Sequence, residues 1–181
     1  MCRGQRQRFE FAEKLFSSRT SSGLTLREAL LTYRWVFPTG RAHWNRTFQV
    51  EMSEWFDISS LADTDQEKEG QLEGLRESVE FLRGVVKREV EVLGDSRRVT
   101  LGGMSQGMET GLWSLFSLVE EGSLGTGMGG MLGGFIGTWG WLPFASDVEG
   151  FRGFTGVGND GHWIEEPEVF DRIFSVSRAS K

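Results

Sequence analysis

The sequence predicts an α/β fold in which a mostly parallel sheet carries helices on both faces. The first observation is a long helical pattern, Gln66–Leu93, whose apolar residues form one stripe and whose charges fill the other faces. The second is a predicted strand, Val99–Leu101, that is followed by a glycine-rich tight turn and then by the amphipathic segment Met108–Val119. The third is a later buried run, Gly134–Thr138. Strands that alternate with helices are typical of a parallel sheet covered on both sides.

The amino-terminal part is predicted to be mixed. Arg8–Phe16 has apolar residues at helical spacing, and Thr25 is a suitable cap for a second, short helix. Tyr33–Phe37 is aromatic and β-branched and is followed by Pro-Thr-Gly, which indicates a strand. Arg41–Asp65 is polar with embedded aromatic residues, and we expect an irregular segment there.

Composition predicts one globular domain, residues 1–181. The chain holds 38% apolar residues with fourteen Phe and seven Trp, which is typical of a packed protein. A net charge of −6 argues against nucleic acid as a partner. One cysteine, Cys2, excludes an internal disulfide, and the charged first twenty residues do not resemble a secretory signal. We therefore expect a cytoplasmic protein.

One segment is long enough to raise the question of a membrane. Gly122–Ser146 carries no charge, but nine of its residues are glycine and Pro143 lies near its end. Glycine and proline are poor helix formers, so a loop followed by a buried strand is the better interpretation. No stable membrane insertion is expected.

The turn after Val99–Leu101 has the pattern Gly-x-Ser-x-Gly, centred on Ser105. Between a strand and a helix this pattern predicts a nucleophile elbow, in which the serine adopts a strained backbone and the flanking glycines avoid clashes. Ser105 is thus the candidate nucleophile. The backbone N–H of Gln106 is the candidate oxyanion donor.

A serine nucleophile needs a base, and the chain has two histidines, His43 and His162. In enzymes with this elbow the order is serine, acid, histidine, and only His162 follows Ser105. Asp147 and Asp160 have the right order for the acid. A further strand–helix unit to present an acid needs about 30 residues, and the segment between Ser105 and His162 lacks that room. A solvated surface group is therefore the favoured interpretation of each aspartate.

Two other chemistries fit the sequence less well. Gly125–Gly130 matches the dinucleotide fingerprint Gly-x-Gly-x-x-Gly, but it follows a helix and precedes a strand, the reverse of the order that fingerprint needs. The sequence has no cysteine–histidine cluster for zinc. We expect neither a cofactor nor a metal.

Four segments together resemble the phospholipase/carboxylesterase family of α/β-hydrolases, the group that contains the acyl-protein thioesterases. The fungal branch is closest in sequence character. They are Ser53–Ile58, Gly102–Gly107, Gly140–Pro143 and Asp160–Trp163, and the resemblance runs from about Phe9 to Phe174. It implies a cytoplasmic serine hydrolase of carboxylic esters or thioesters of lipids or acylated proteins, with Ser105 as nucleophile and His162 as base. It also implies substrate-binding roles for Trp55, Trp141 and Leu142.

The chain also departs from the family pattern. The family's first strand is missing, so that of its oxyanion loop only Gly4 remains, and the acid-bearing strand–helix unit is missing as well. The resemblance therefore implies an abridged α/β-hydrolase domain. Two hypotheses follow: a serine esterase or thioesterase that works through an acyl-enzyme, or a catalytically impaired hydrolase-like protein with a binding role only.

Overall fold

The structure is a computed structural model that describes residues 3–45, 48–58, 68–120, 131–141 and 143–144. The chain divides into two compact units, Met1–Trp55 and Phe56–Lys181. The expectation of a single domain stays a prediction. The elements are α1 (Arg3–Ser17), α2 (Leu26–Ala29), β1 (Arg41–Asn45), β2 (Val50–Glu54), α3 (Lys68–Leu93), β3 (Thr100–Met104), α4 (Gln106–Glu120) and β4 (Gly134–Thr138).

The first unit begins with the two predicted helices. α1 extends beyond the predicted Arg8–Phe16 to Arg3–Ser17. α2 is capped by Thr25, whose hydroxyl accepts a hydrogen bond from the Glu28 N–H while the Glu28 carboxylate accepts one from the Thr25 N–H. This reciprocal arrangement satisfies backbone donors that a helix start leaves without partners. The predicted cap is confirmed.

The predicted strand at Tyr33–Phe37 is wrong. Residues 33–40 form no regular element, and their aromatic side chains pack on α1 instead. The rings of Trp35 and Phe37 stack with centroids 6.5 Å apart, and Phe16 meets them edge-on at 5.6 and 5.4 Å. Aromatic residues favour strands because they fit a half-buried surface, and a helix offers such a surface equally well.

The irregular segment predicted for Arg41–Asp65 is also wrong in part, because its first half is a β-hairpin. β1 and β2 pair antiparallel, in register from Arg41↔Glu54 to Asn45↔Val50. Gln49, before β2, has a left-handed backbone with φ 52°. The apolar residues that alternate along β1, Ala42 and Trp44, are exposed, so the pattern that reveals a strand in sequence does not mark the buried face here. The buried residues of the two strands are instead polar, namely Asn45 and Glu54.

In the second unit, α3 buries the predicted stripe. Leu75, Val79, Leu82 and Val86 are all less than 5% exposed. The helix ends where predicted, at Gly94, whose φ of 70° allows its N–H to donate to the Val90 carbonyl at 2.8 Å. Glycine is favoured at this position because the left-handed conformation crowds a Cβ atom.

The second unit also contains the predicted strand–helix–strand arrangement. β3 and β4 pair in parallel, from Thr100↔Gly134 to Met104↔Thr138, and α4 lies between them in sequence. A buried cluster of Val86, Leu118 and Leu132 joins α3, α4 and the chain just before β4. Parallel neighbours need such a crossover, and the carboxyl ends of both strands therefore lie at one edge.

The glycine pattern Gly125–Gly130 lies outside the described residues. Within the described helices, none has both the length and the hydrophobicity needed to cross a bilayer.

Candidate active site

Ser105 lies between the end of β3 and the first residue of α4. Its φ is 53°, a left-handed conformation that side-chain-bearing residues rarely adopt. Hydrogen bonds fix it on both sides: its N–H donates to the Thr138 carbonyl at 3.0 Å, and its carbonyl accepts from the Met108 N–H at 2.8 Å. The strained turn predicted from the sequence is confirmed. Such strain persists only where the surroundings enforce it, and it concentrates at functional sites.

The turn is tight enough to require glycine at position 103. A Cβ atom there would overlap the backbone of Gly107 and Met108. Here the chain enters the elbow from β3 and passes directly against the first turn of α4. Gly103 therefore permits the sharp reversal that brings Ser105 to the carboxyl edge of the β3–β4 pair.

Gln106 is the first residue of α4, as an oxyanion donor at an elbow should be. Backbone N–H groups at the start of a helix point away from it and favour negative charge. Its side chain has a separate contact, because Nε2 donates to the Phe56 carbonyl at 2.9 Å. This bond ties the buried Phe56 segment to the start of α4. The oxyanion role itself stays a prediction.

The structure adds a group that the sequence did not single out, the carboxyl group of Glu109. It is fully buried, one helical turn after Ser105. Oε1 accepts a hydrogen bond from the Trp141 N–H at 3.1 Å, while Oε2 has no hydrogen-bond partner among the described residues. Burial raises the pKa of Glu109 from 4.5 to about 7, and the bond from Trp141 offsets only part of that rise. A buried carboxyl group of this kind is a functional-site candidate.

The chain that leaves β4 also reverses at the carboxyl edge. Trp139 follows β4 directly, has φ 53° and is 86% exposed. Trp141, predicted to bind substrate, is half-buried, and its indole N–H lacks a partner among the described residues. Leu142 lies outside the described residues. No sequence pattern singled out Trp139, because an aromatic residue after a strand is common in buried turns.

Three other candidates lie in the first unit. Trp55 is half-buried directly after β2, and Gly4 lies in the first turn of α1. His43 has a structural role within the hairpin, since its Nε2 lies 2.7 Å from Glu54 Oε1. Asn45 Nδ2 donates to both oxygens of the same carboxylate, at 2.9 and 3.1 Å. The substrate-binding role of Trp55 and the oxyanion role of Gly4 stay predictions.

The predicted base and acids, His162, Asp160 and Asp147, lie outside the described residues. Of the residues predicted at the elbow, the described part of the chain brings together the candidate nucleophile Ser105 and the candidate oxyanion donor Gln106. A strained serine and a helix start lie at the carboxyl edge, beside a buried carboxyl group. That arrangement suits a nucleophile whose developing oxyanion is stabilised by backbone N–H groups.

A strained residue between a parallel strand and a helix is the structural signature of the α/β-hydrolases. The fold agrees: the crystal structure of a variant of Arabidopsis thaliana SOBER1 superposes with a TM-score of 0.52 at 21% identity, over 80% of this chain and 59% of that one. Residues 20–153 match the phospholipase/carboxylesterase family, so the chain belongs to that family. The matched range contains Ser105 and Trp141 and ends before His162.

Two curated relatives are similar over about half of the chain. One is acyl-protein thioesterase 1 homolog 1 of Dictyostelium discoideum, 31% identical over 97 residues. The other is acyl-protein thioesterase 1 of Yarrowia lipolytica, 30% identical over 96 residues. The matched regions make up 53% of this chain but only 38% and 37% of those relatives. The matched part of the chain thus spans less than two fifths of the length of these two relatives.

Proposed function

We propose that this protein is a serine hydrolase that cleaves carboxylic esters or thioesters through an acyl-enzyme on Ser105. The observation that carries the proposal is the backbone of Ser105, held at φ 53° between a parallel strand and a helix. Retaining this strain at a serine has no structural benefit, because glycine would adopt the same conformation without it. Membership of the phospholipase/carboxylesterase family supports the same reaction class.

In this mechanism the Ser105 hydroxyl attacks the substrate carbonyl while His162 takes its proton. The tetrahedral oxyanion accepts a hydrogen bond from the Gln106 N–H. Collapse expels the alcohol or thiol, which takes the proton from His162, and water then releases the acid by the reverse steps. Asp147 or Asp160 would orient the histidine, and loss of such an acid costs about 10⁴ in turnover.

The names of the relatives favour acylated proteins as substrates, and the family description favours lipid esters. Both contain an acyl carbonyl next to an alkyl chain. We assign the protein to the cytoplasm and require no cofactor or metal for the reaction. The alternative is a hydrolase-like protein with only a binding role, which retains the elbow but lacks turnover.

A fluorophosphonate probe tests the proposal, because it phosphonylates only an activated serine. The wild-type chain should be labelled, and Ser105→Ala should lose the label completely. Ser21→Ala is the matched control, since Ser21 is exposed in the α1–α2 connection and should stay labelled. A wild-type preparation that is folded by circular dichroism yet takes up no probe would contradict the enzyme proposal and support the binding role.

A further inference from the structure

The carboxyl edge of the β3–β4 pair carries two left-handed residues side by side. Ser105 and Trp139 both have φ 53°, and each directly follows its strand. The Ser105 N–H donates to the carbonyl of Thr138, the residue that precedes Trp139. Two strained residues at neighbouring register positions indicate that the turn after β4 is shaped together with the elbow.

The turn after β4 lies directly on the first turn of α4. A Cβ atom at Gly137 would overlap the Met108 side chain, and one at Gly140 would lie 2.7 Å from Met108 Cε and 3.3 Å from Glu109 Oε1. A larger residue at either position would require the Met108 side chain to move. The backbone on both sides of Trp139 therefore contacts the helix, while the indole itself is 86% exposed.

Glu109 fixes the far end of this turn. Its buried Oε1 accepts the Trp141 N–H at 3.1 Å, two residues beyond Trp139. This part-buried hydrogen bond restricts the backbone of the turn, because breaking it leaves the buried carboxyl group without its one described donor. The exposed indole is thus presented from a turn held at both ends, by Ser105 and by Glu109.

We propose that Trp139 determines acyl-chain specificity by packing against the alkyl chain of a substrate bound at Ser105, and that Glu109 is its positioning residue. An indole offers a large, rigid apolar face with few rotatable bonds. Such a face contributes binding free energy in proportion to the apolar area that it covers. The occupant that we assign is the alkyl chain of an acyl group on Ser105, because Trp139 follows Thr138, whose carbonyl accepts the Ser105 N–H at 3.0 Å. The proposal rests on the hydrolase function proposed above.

The first test is the ratio of kcat/KM for 4-nitrophenyl octanoate to that for 4-nitrophenyl acetate. Trp139→Ala should lower this ratio about tenfold, mainly through KM for the long ester, and Trp139→Phe should keep most of it. Met131→Ala is the control: Met131 is 67% exposed but lies before β4, at the opposite end of the strand, and should leave the ratio unchanged. If Trp139→Ala has the same octanoate-to-acetate ratio as the wild-type chain, the inference is overturned.

A binding measurement separates this inference from the proposed function. Decanoate binding is measured by calorimetry in the Ser105→Ala background, where no reaction interferes. Adding Trp139→Ala should weaken binding about tenfold, and an unchanged Kd would overturn the inference even in an active enzyme. Fluorophosphonate labelling reports on the proposed function alone. If the chain is not labelled but Trp139→Ala still weakens decanoate binding, the hydrolase proposal is wrong and the acyl-chain site at Trp139 stands.

Glu109 is tested by two substitutions. Glu109→Gln keeps an acceptor for the Trp141 N–H and should retain the octanoate-to-acetate ratio. Glu109→Leu removes the acceptor and should lower that ratio several-fold, because the turn is released. Equal ratios in the two variants would overturn the positioning role. If the Glu109→Leu chain does not fold, Glu109→Ala replaces it in the comparison with Glu109→Gln.

Discussion

Two buried glutamates in the two units of the molecule differ in how their carboxyl groups are satisfied. Glu54, in the hairpin, is 6% exposed, and its oxygens contact the His43 imidazole and the Asn45 amide. Glu109, beside the elbow, is fully buried with one backbone N–H donor. Burial of a carboxylate is tolerated when partners replace the lost water, and it raises the pKa when they do not. The hairpin carboxyl group therefore stabilises its surroundings, whereas the elbow carboxyl group is held at a cost to stability.

Two of the left-handed residues, Gln49 and Ser105, show a similar contrast in the backbone. Gln49, with φ 52°, precedes β2 in a hairpin, where this conformation serves chain reversal. Ser105, with φ 53°, begins a helix instead, and its strain is enforced by hydrogen bonds at its N–H and its carbonyl. Similar dihedral angles thus serve a turn in one unit and a candidate nucleophile in the other.

The largest expected effect comes from Gly103→Ala. Its Cβ would overlap the backbone of Gly107 and Met108, so the elbow could close only by moving β3 or α4. We expect unfolding free energy to fall by about 3–5 kcal/mol, with loss of fluorophosphonate labelling. Urea denaturation measures the first and gel fluorescence the second.

Gly84→Ala is the matched control for that substitution. Gly84 lies in α3 with no atom within 4 Å of the added Cβ, so alanine should stabilise the chain by about 0.5–1 kcal/mol. If the two variants had equal stabilities, the tight approach at Gly103 would not be what closes the elbow.

The next largest effect separates the two glutamates. Burial raises the pKa of Glu109 from 4.5 to about 7, so the folded chain holds this proton more tightly than the unfolded chain. Its contribution to unfolding free energy is therefore most favourable below pH 4.5 and is lost as the pH rises through about 7. Glu109→Gln removes this dependence and should stabilise the protein at pH 8 by at most about 3 kcal/mol relative to the parent.

Urea denaturation at pH 5 and pH 8 measures this difference. The gain from Glu109→Gln should be clearly larger at pH 8 than at pH 5. Glu91→Gln, an exposed position on α3, is the control and should give no such difference. An equal gain at both pH values would show that the carboxyl group does not titrate differently on folding.

The smallest effect has the opposite sign. Glu54→Gln replaces one acceptor oxygen by a donor and weakens the contact with His43, so it should destabilise the protein by about 1–2 kcal/mol at pH 8. The same substitution would thus stabilise one unit and destabilise the other. If Glu54→Gln also stabilised the chain, the contrast between satisfied and unsatisfied burial would be lost.

Sequence patterns predicted the elements whose signals are local. The stripe of α3, the Thr25 cap and the Gly94 stop follow from periodicity and end chemistry, and the elbow follows from glycine spacing beside a strand. The hairpin was not predicted because its buried face is polar, as the contacts of Glu54 show. Tyr33–Phe37 was assigned to a strand because propensity does not reveal which surface an aromatic side chain will pack against.

The candidate site was predicted in the same uneven way. Ser105 and Gln106 were singled out because their motif specifies a backbone geometry. Glu109 looks like one charged residue among many in an amphipathic helix, and only the turn after β4 gives it a partner. Likewise, only the register Met104↔Thr138 shows that Trp139 lies next to Ser105. Pairings between residues about thirty positions apart are not encoded in any local pattern.

The hydrogen bond between the Ser105 N–H and the Thr138 carbonyl also has a consequence for how the molecule forms. The helices α3 and α4 depend on neighbours a few residues away and can begin to form early. The parallel pairing closes a loop of more than thirty residues, which carries an entropic cost before any contact offsets it. We therefore expect the backbone of Ser105 to reach its final dihedral angle late in folding, after the helices that surround it.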